Sequence, residues 1–493
     1  MSRQLANRFL LAAVAAIALL WGWFWWYSGL RTVPAGVRLG GWSIGGLTQR
    51  ELELGWQSRL ERLRAEKVRL VPDGKEEAAR TFTLTELGLI ADENRLAELT
   101  DYVFGGSRLD KAKRRWAMRK AYLPFEAGLS AQAMNGVLTA AWPQGMKPNT
   151  INAKRIVTAD DRIDYTPEQG ATVIDTAKLA ERLTALAREH FDSFATVESA
   201  GNGANPESAT VMPLPKREVP PEVTVEQLKA QGVSRKISEF STSFPGGAPG
   251  RVHNIQATAG TIHDKLLAPG ERFDYSTVIR ETELRSGYQE APVIFNGKLV
   301  PGIGGGICQV STTLYNAALR AGLQIDERRN HSLPVSYVPL GQDATFASGY
   351  INFQFTNNTG AYLLIHTESG ADRITVKLFG TMPESAVYEI ESHIVQTLEP
   401  PVKYVRNPTL APGAQSVLQK GKPGYVVETF RTRKEGGVVV NKERVSKDTY
   451  QPQPTLIAIR GSDAPSPDGK EPHQGGGTVI EDGVSGPVFP RGR

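Results

Sequence analysis

The sequence has almost no cysteine and no strong excess of either charge. Cys308 is the one cysteine among 493 residues, so the chain has no second thiol for an internal disulfide. No Cys/His cluster with zinc spacing accompanies it, and we expect no metal site. The 57 basic and 52 acidic residues give a net charge of +5. This charge is too small to indicate a nucleic-acid partner.

Several common catalytic motifs are also missing. The chain has no H-E-x-x-H motif, no G-x-S-x-G motif and no Walker loop, because glycines 304–306 precede no Lys-Ser/Thr pair. These absences argue against a zinc protease, a serine hydrolase of that type and a nucleotide-binding enzyme. We therefore expect a protein that works without a cofactor.

An apolar run near the amino terminus predicts a membrane anchor. Residues 9–30 carry no charge, and a helix of that length spans roughly 33 Å, enough for a hydrocarbon core of about 30 Å. Arg3 and Arg8 precede the run, so residues 1–8 are predicted to stay in the cytoplasm and the bulk of the chain to face outward. A cleaved signal peptide is the alternative, but aromatic residues stand where small ones are needed for cleavage. We predict a single-pass protein of the cell membrane.

The remaining chain is predicted to be α+β and multidomain. Two α+β modules are expected over residues 36–110 and 121–198, each with a turn, a short strand and a helix, so they can be related copies. In the first, Thr48 and Glu51 form the capping box of a helix over 49–67. Further boundaries are predicted for a linker (199–221), an α+β domain (222–381), a small all-β module (395–460) and a disordered tail (461–493).

The segment with the most informative chemistry is a glycine loop that leads into a helix near residue 309. Cys308 is expected at the helix N-terminus, where free N–H groups and the helix dipole lower the pKa of a thiol. Gly304, Gly305 and Gly306 let the backbone approach a substrate, and their N–H groups can receive an oxyanion. The alternative is that Cys308 is a small buried apolar residue, as most lone cysteines are.

Polar residues further along the chain are candidates to act with this cysteine. His331 is a candidate base and Asp343 a candidate orienter of its imidazole, as nucleophilic cysteine sites require. The alternatives are a structural histidine and a turn-capping aspartate. His253 and His263 are fallback bases.

Four more residues are predicted to bind substrate. Arg328 and Arg329 are suited to bidentate binding of a carboxylate, although a solvated arginine pair is the alternative. Ser332 and Tyr337 complete this predicted substrate-binding set.

Several motifs in one order resemble the VanW family, whose name comes from glycopeptide-resistance gene clusters. They lie at 269–274, 287–288, 304–315, 327–332 and 341–345. The two preceding modules resemble a peptidoglycan-binding domain that often precedes VanW and L,D-transpeptidase domains. Residues 395–460 resemble the glycine-rich domains that are named for their five glycines and are linked with cell-wall polymers.

The resemblance implies a cell-wall protein that acts on peptidoglycan stem peptides and glycan. It implies an L,D-transpeptidase in which Cys308 forms an acyl-enzyme, His331 moves the protons and amides near Gly306 hold the oxyanion. A non-catalytic wall-binding or scaffolding protein is one alternative, and a cysteine peptidase that hydrolyses stem peptides is another. One departure is Asn352, which stands where the family usually has Asp.

Overall fold

A computed structural model describes residues 3–91, 93–199, 209–295, 298–460 and 480–484. The chain divides into two compact units, residues 1–151 with 169–222 and residues 152–168 with 223–493. The α-helices of the described residues are α1 (Arg3–Gly29), α2 (Gln49–Ala65), α3 (Glu93–Phe104), α4 (Arg108–Ala117), α5 (Ala131–Ala141), α6 (Pro143–Met146), α7 (Thr176–Ser199), α8 (Val225–Ala230), α9 (Pro249–Ile262), α10 (Tyr275–Ser286) and α11 (Ile307–Arg320).

The strands of the described residues are mostly short in the first unit and longest between residues 386 and 450. They are β1 (Arg38–Leu39), β2 (Trp42–Ser43), β3 (Lys67–Val71), β4 (Arg80–Thr83), β5 (Leu89–Ala91), β6 (Tyr122–Leu123), β7 (Ala127–Leu129), β8 (Lys154–Val157), β9 (Ile163–Thr166), β10 (Ala171–Ile174), β11 (Thr210–Pro213), β12 (Lys216–Val219), β13 (Arg235–Ser243), β14 (Lys265–Leu267), β15 (Arg272–Asp274), β16 (Glu290–Phe295), β17 (Lys298–Ile303), β18 (Gln324–Glu327), β19 (Gln354–Thr356), β20 (Leu363–Ser369), β21 (Arg373–Gly380), β22 (Ala386–Leu398), β23 (Val402–Arg406), β24 (Gln415–Gln419), β25 (Gly424–Glu435), β26 (Val438–Tyr450), β27 (Thr455–Ile459) and β28 (Ile480–Glu481). The predicted α+β class is confirmed.

Helix α1 is long and apolar enough over Arg8–Gly29 to cross a membrane. Its apolar side chains are exposed, as expected of a segment that lipid covers. At its far end the Trp23 ring packs edge-on against Trp116, and the Arg108 guanidinium lies 3.8 Å from the centre of the Trp25 ring. Both partners belong to α4. A helix of this composition near the amino terminus fits either an anchor or a signal sequence.

The first unit has one hydrophobic core that draws on both predicted modules. Trp56 of α2 packs edge-on against Phe125 and Phe191, whose stacked rings have centroids 3.8 Å apart. Helix α2 begins with the predicted capping box of Thr48 and Glu51. Because Phe125 and Phe191 come from the second predicted module, the boundary between the modules does not separate two cores. Their relation as copies stays a prediction.

Two predicted boundaries are wrong. The linker predicted over 199–221 contains β11, which pairs in parallel with β3, and β12, which pairs antiparallel with β10. The Gly- and Pro-rich composition of this segment predicted a linker and gave no sign of these two short edge strands. Residues 200–208 lie outside the described residues. The module predicted over 121–198 is also interrupted, since residues 152–168 belong to the second unit. There Asp161 forms ion pairs with Lys236 at 2.6 Å and with Lys377 at 2.7 Å.

The second unit is built around α11. A sheet in the order β13-β21-β20-β14 covers one side of this helix, and α9 packs against it. Residues 307–319 are buried on every face of the helix. Several of its polar side chains are satisfied internally: the Ser311 hydroxyl donates to the Ala344 carbonyl at 2.7 Å, and the Asn316 amide donates to the Gln342 carbonyl at 2.7 Å. The polar sequence of α11 is therefore compatible with a central core position.

The carboxyl-terminal module is all-β, as predicted. Its sheets have the orders β22-β25-β26 and β23-β27-β24. The predicted disordered tail is wrong for residues 480–484, because β28 pairs antiparallel with β16 and Gly483 forms a parallel bridge with Ala347. The low apolar content of the tail concealed a strand of only two residues. Residues 461–479 and 485–493 lie outside the described residues.

Candidate functional site

The predicted glycine loop leads directly into α11, which begins at Ile307, two residues earlier than predicted. Gly304 and Gly306 have φ angles of +94° and +108°, which L side chains rarely adopt. A Cβ atom on Gly305 would lie 2.4 Å from the Pro292 carbonyl oxygen of β16. The glycines therefore let the loop backbone pack closely against β16 of the same protein. Gly306 provides no side-chain cap, so the first N–H groups of α11 need another acceptor.

Asp482 supplies that acceptor from the far end of the chain. Its Oδ1 accepts hydrogen bonds from the Gly306 N–H at 3.1 Å and the Cys308 N–H at 2.8 Å. Its Oδ2 lies 3.2 Å from Nη1 of Arg251, whose Nη2 also donates to Oε1 of Gln309 at 2.9 Å. The N-terminus of α11 therefore binds an anion, and that anion is a carboxylate of the chain.

Cys308 lies in the hydrophobic core and is fully buried. Its Sγ accepts a hydrogen bond from the Phe346 N–H at 3.0 Å and donates to the Phe346 carbonyl at 3.4 Å. Burial, reinforced by the charge of Asp482, raises the pKa of the Cys308 thiol well above its ordinary value. The predicted lowering of this pKa is wrong for this conformation, because Asp482 uses the N–H groups that would otherwise stabilise a thiolate.

His331 and Asp343 form the predicted imidazole–carboxylate pair. Nδ1 of His331 donates to Oδ2 of Asp343 at 2.7 Å, and both side chains are buried. Burial lowers the pKa of His331, but the hydrogen bond and charge of Asp343 outweigh it and raise that pKa. Nε2 of His331 is buried without a hydrogen-bond partner. The pair is therefore oriented, but no hydrogen bond joins it to the sulfur of Cys308.

Asp343 has a further partner in the carboxyl-terminal module. The Tyr450 hydroxyl donates to Oδ1 of Asp343 at 2.5 Å and accepts the Gly341 N–H at 2.7 Å. Burial raises the pKa of Asp343, but the hydrogen bond from His331 outweighs it, so the pKa falls from 3.8 to about 2. Asp343 is therefore a charged, fixed component of the core and not a turn cap.

Arg328 binds carboxylates of the protein itself. Its side chain is 5% exposed and forms ion pairs with Asp448 at 2.6 Å and Asp343 at 3.3 Å. Its guanidinium is thus bound to two internal carboxylates in this conformation, and its predicted substrate role stays a prediction. Arg329 is exposed, and its carbonyl accepts the Thr345 N–H. Its predicted role stays a prediction.

Ser332 and Tyr337 lie beside the segment that carries Asp482. The Ser332 N–H and hydroxyl both donate to Oε2 of Glu481, at 2.9 and 3.0 Å. Tyr337 lines a cleft of about 550 Å³ together with Arg251, Leu299 and Asp482. The Tyr337 hydroxyl is buried and has no hydrogen-bond partner. The predicted substrate-binding role of both residues stays a prediction.

The fallback histidines and Asn352 have other neighbours. Nε2 of His253 lies 3.2 Å from the Gly287 carbonyl oxygen. The imidazole of His263 forms a cluster near the surface with the Asp264 carboxylate and the His366 imidazole. None of their described contacts is with Cys308.

Asn352 acts as a hydrogen-bonding bridge. Its Nδ2 donates to Oδ1 of Asp274 at 2.9 Å, and its Oδ1 accepts the N–H groups of Ser276 and Phe353. Asp274 also caps α10. An amide supplies both a donor and an acceptor here, so Asn352 suits its described contacts.

Sequence reasoning missed Arg251, Glu481, Asp482, Asp448 and Tyr450. Each acts through a contact that is distant in the sequence: Cys308 and Asp482 are separated by 174 positions, and Arg328 and Asp448 by 120. One signal was present. A helix that begins at a glycine needs an external acceptor, and the sequence Glu481-Asp482 offers carboxylates in an otherwise polar tail.

Two family models match parts of the chain. Residues 250–379 match the model described as VanW like protein, and residues 389–460 match the model described as G5 domain. A solved IgA1 protease G5 domain is 29% identical, covers 15% of this chain and 88% of its own, and has a TM-score of 0.13.

Two curated relatives match about a third of the chain. YoaR of Bacillus subtilis (strain 168) is 36% identical over 168 residues, which cover 34% of this chain and 55% of that protein. The vancomycin B-type resistance protein VanW of Enterococcus faecalis (strain ATCC 700802 / V583) is 29% identical over 151 residues, covering 30% of this chain and 55% of that protein. The chain thus spans about half the length of each relative. It carries a VanW-like domain followed by a G5 domain.

Proposed function

We propose that the chain is a membrane-anchored, extracytoplasmic protein that binds peptidoglycan through its VanW-like and G5 domains. The observation that carries this proposal is the joint presence of those two domains in a chain with an amino-terminal helix long enough to cross a membrane. G5 domains are associated with cell-wall binding. The positive charge before the helix favours an outward-facing bulk of the chain.

A binding role agrees with the state of Cys308. The sulfur of Cys308 is fully buried in the core, and the pKa of the thiol is raised. Both properties are typical of a structural thiol and not of a nucleophile. The buried ion pairs between Arg328, Asp343 and Asp448 join the VanW-like segment to the G5 segment.

The second candidate is a cysteine acyltransferase of the L,D-transpeptidase type, favoured by the oriented His331–Asp343 pair. In that reaction His331 takes the thiol proton and Cys308 sulfur attacks a stem-peptide carbonyl. The C–N bond to D-Ala breaks, and the proton passes to the departing amine. An amine of a second stem then displaces the thiolate from the thioester and yields a crosslink. Gly306 and Cys308 N–H groups receive the oxyanion once Asp482 has left them.

The experiment uses the full chain in detergent micelles with peptidoglycan sacculi and purified muropeptides. We expect cosedimentation with sacculi, equal for the wild type and Cys308→Ala, and no new muropeptide by mass spectrometry. Crosslinked dimers that are lost in Cys308→Ala would instead establish the transferase. Shortened stems that are lost in the same variant would establish a peptidase. Absence of cosedimentation would overturn the binding proposal.

A further inference from the structure

We propose that the VanW-like domain contains a groove for a short acidic peptide, and that residues 480–484 occupy it as an internal ligand. Ile480 and Glu481 pair antiparallel with Phe295 and Ile294 of β16, and Gly483 bridges in parallel to Ala347 on the opposite side. Ile480 and Glu481 are therefore extended, the chain turns at Asp482, whose φ angle is +60°, and the segment lies between two segments of the domain. Addition of a strand to a sheet edge is a recurrent mode of peptide recognition.

Two carboxylates of this segment are recognised by specific donors. Oδ1 of Asp482 accepts from two N–H groups at the start of α11, and its Oδ2 faces Arg251 at 3.2 Å. Oε2 of Glu481 accepts from the N–H and hydroxyl of Ser332. Helix N-termini with an adjacent arginine favour anions. The groove therefore selects acidic side chains at two consecutive positions.

One further polar group in the groove is left without a partner. The Tyr337 hydroxyl is buried and has no hydrogen-bond partner, and Tyr337 lines a cleft of about 550 Å³ together with Arg251 and Asp482. Buried polar atoms usually have partners, so an unpaired hydroxyl beside a cleft indicates a place for a polar group of a ligand. The internal segment leaves this hydroxyl unused.

A purely structural role for Asp482 makes a different prediction. Asp482 caps α11 in place of a local side chain, and a cap of that kind stabilises the folded state. A fixed cap stays bound when free peptide is added. An internal ligand exchanges with free peptide, because tethering gives it only an effective concentration in the millimolar range.

The first test measures binding of a fluorescein-labelled peptide, Ile-Glu-Asp-Gly-Val, to the full chain in micelles. Its matched control is the uncharged analogue Ile-Gln-Asn-Gly-Val. We expect the variant with Glu481→Ala and Asp482→Ala to bind the acidic peptide at least about tenfold more tightly than the wild type does, because the internal competitor is weakened. Adding Arg251→Met should abolish the preference for the acidic peptide. A folded variant that binds neither peptide, or both equally, would overturn the proposal.

The second test uses the wild type, so it does not depend on the folding of a variant. The N–H groups of Asp482 and Val484 donate to the carbonyls of Phe346 and Ile303 and should exchange slowly with deuterium. Millimolar acidic peptide should accelerate exchange at both, while the Thr455 N–H in β27, bonded to Pro401, should not change. Unchanged exchange at Asp482 and Val484 would identify a fixed cap. Neither test involves peptidoglycan, so failure of this peptide-binding proposal is distinguishable from failure of the proposed wall binding.

Discussion

Replacing Arg328 with Met tests whether this arginine belongs to the core or to a substrate site. The wild-type guanidinium lies 2.6 Å from Asp448 and 3.3 Å from Asp343, and the two carboxylate side chains are 6% and 1% exposed. Its Nε also donates to the Asp343 carbonyl at 2.6 Å. Met keeps most of the side-chain volume and removes every one of these donors.

The expected cost follows from what the substitution leaves behind. Removing one partner of a buried ion pair costs about 3–5 kcal/mol, because the remaining charge is buried without compensation. Asp343 retains its bonds from His331 and Tyr450, and Asp448 retains the Ser446 hydroxyl at 2.8 Å. These remaining partners place the cost near the lower end of that range. In a large domain each kcal/mol lowers the midpoint by about 2–4 °C, so we expect a fall on the order of 10 °C.

The measurement is thermal unfolding of the full chain in micelles, followed by circular dichroism and by Tyr and Trp fluorescence. Arg329→Met is the matched control, since Arg329 is the adjacent arginine and is exposed. An exposed substitution of this kind changes stability by within about 0.5 kcal/mol. Equal midpoints for the two variants, together with loss of sacculus binding only in Arg328→Met, would refute the structural role and restore the substrate role.

Three further outcomes are expected. Tyr450→Phe should cost about 1–3 kcal/mol in urea unfolding, because the Gly341 N–H and Asp343 both lose a buried partner. The pKa of Asp343 is about 2 in the folded protein against an ordinary 3.8. Its contribution to the free energy of unfolding is therefore present above about pH 4 and is lost as the pH falls toward about 2. Asp343→Asn should flatten this part of a plot of unfolding free energy against pH. Asn352→Asp should destabilise at about pH 7 by placing a carboxylate against Asp274, with a smaller effect at about pH 4 in the same urea assay.

Features set by neighbouring residues could be predicted from the sequence. The capping box at Thr48, the start of α11 within two residues of its predicted position and the all-β carboxyl-terminal module all rest on local patterns. The His331–Asp343 pairing spans only 12 positions and follows from complementary chemistry. In each case the interacting groups are close in sequence, so the pattern itself carries the information.

Features set by distant residues could not be predicted in the same way. Arg328 looked like a ligand for a substrate carboxylate, and its chemistry was correctly identified as carboxylate binding. The carboxylates it binds belong to Asp343 and to Asp448, and the second is 120 positions away. No periodicity or spacing marks such a partner. Composition likewise misassigned residues 480–484, because two strand residues contribute little to the hydropathy of a polar tail.

The error about Cys308 has the same origin and links the two candidate functions. The helix N-terminus does favour an anion, but a thiol and a carboxylate compete for the same N–H groups. A carboxyl group is ordinarily ionised at neutral pH, whereas an ordinary thiol is mostly protonated. The N–H groups therefore bind the carboxylate of Asp482 and not the thiol. Its charge and the burial of the sulfur then raise the pKa of Cys308. Departure of residues 480–484 would remove that charge and free two N–H donors beside the sulfur. Occupancy of one groove thus decides whether Cys308 is a structural thiol or has the surroundings of a nucleophile.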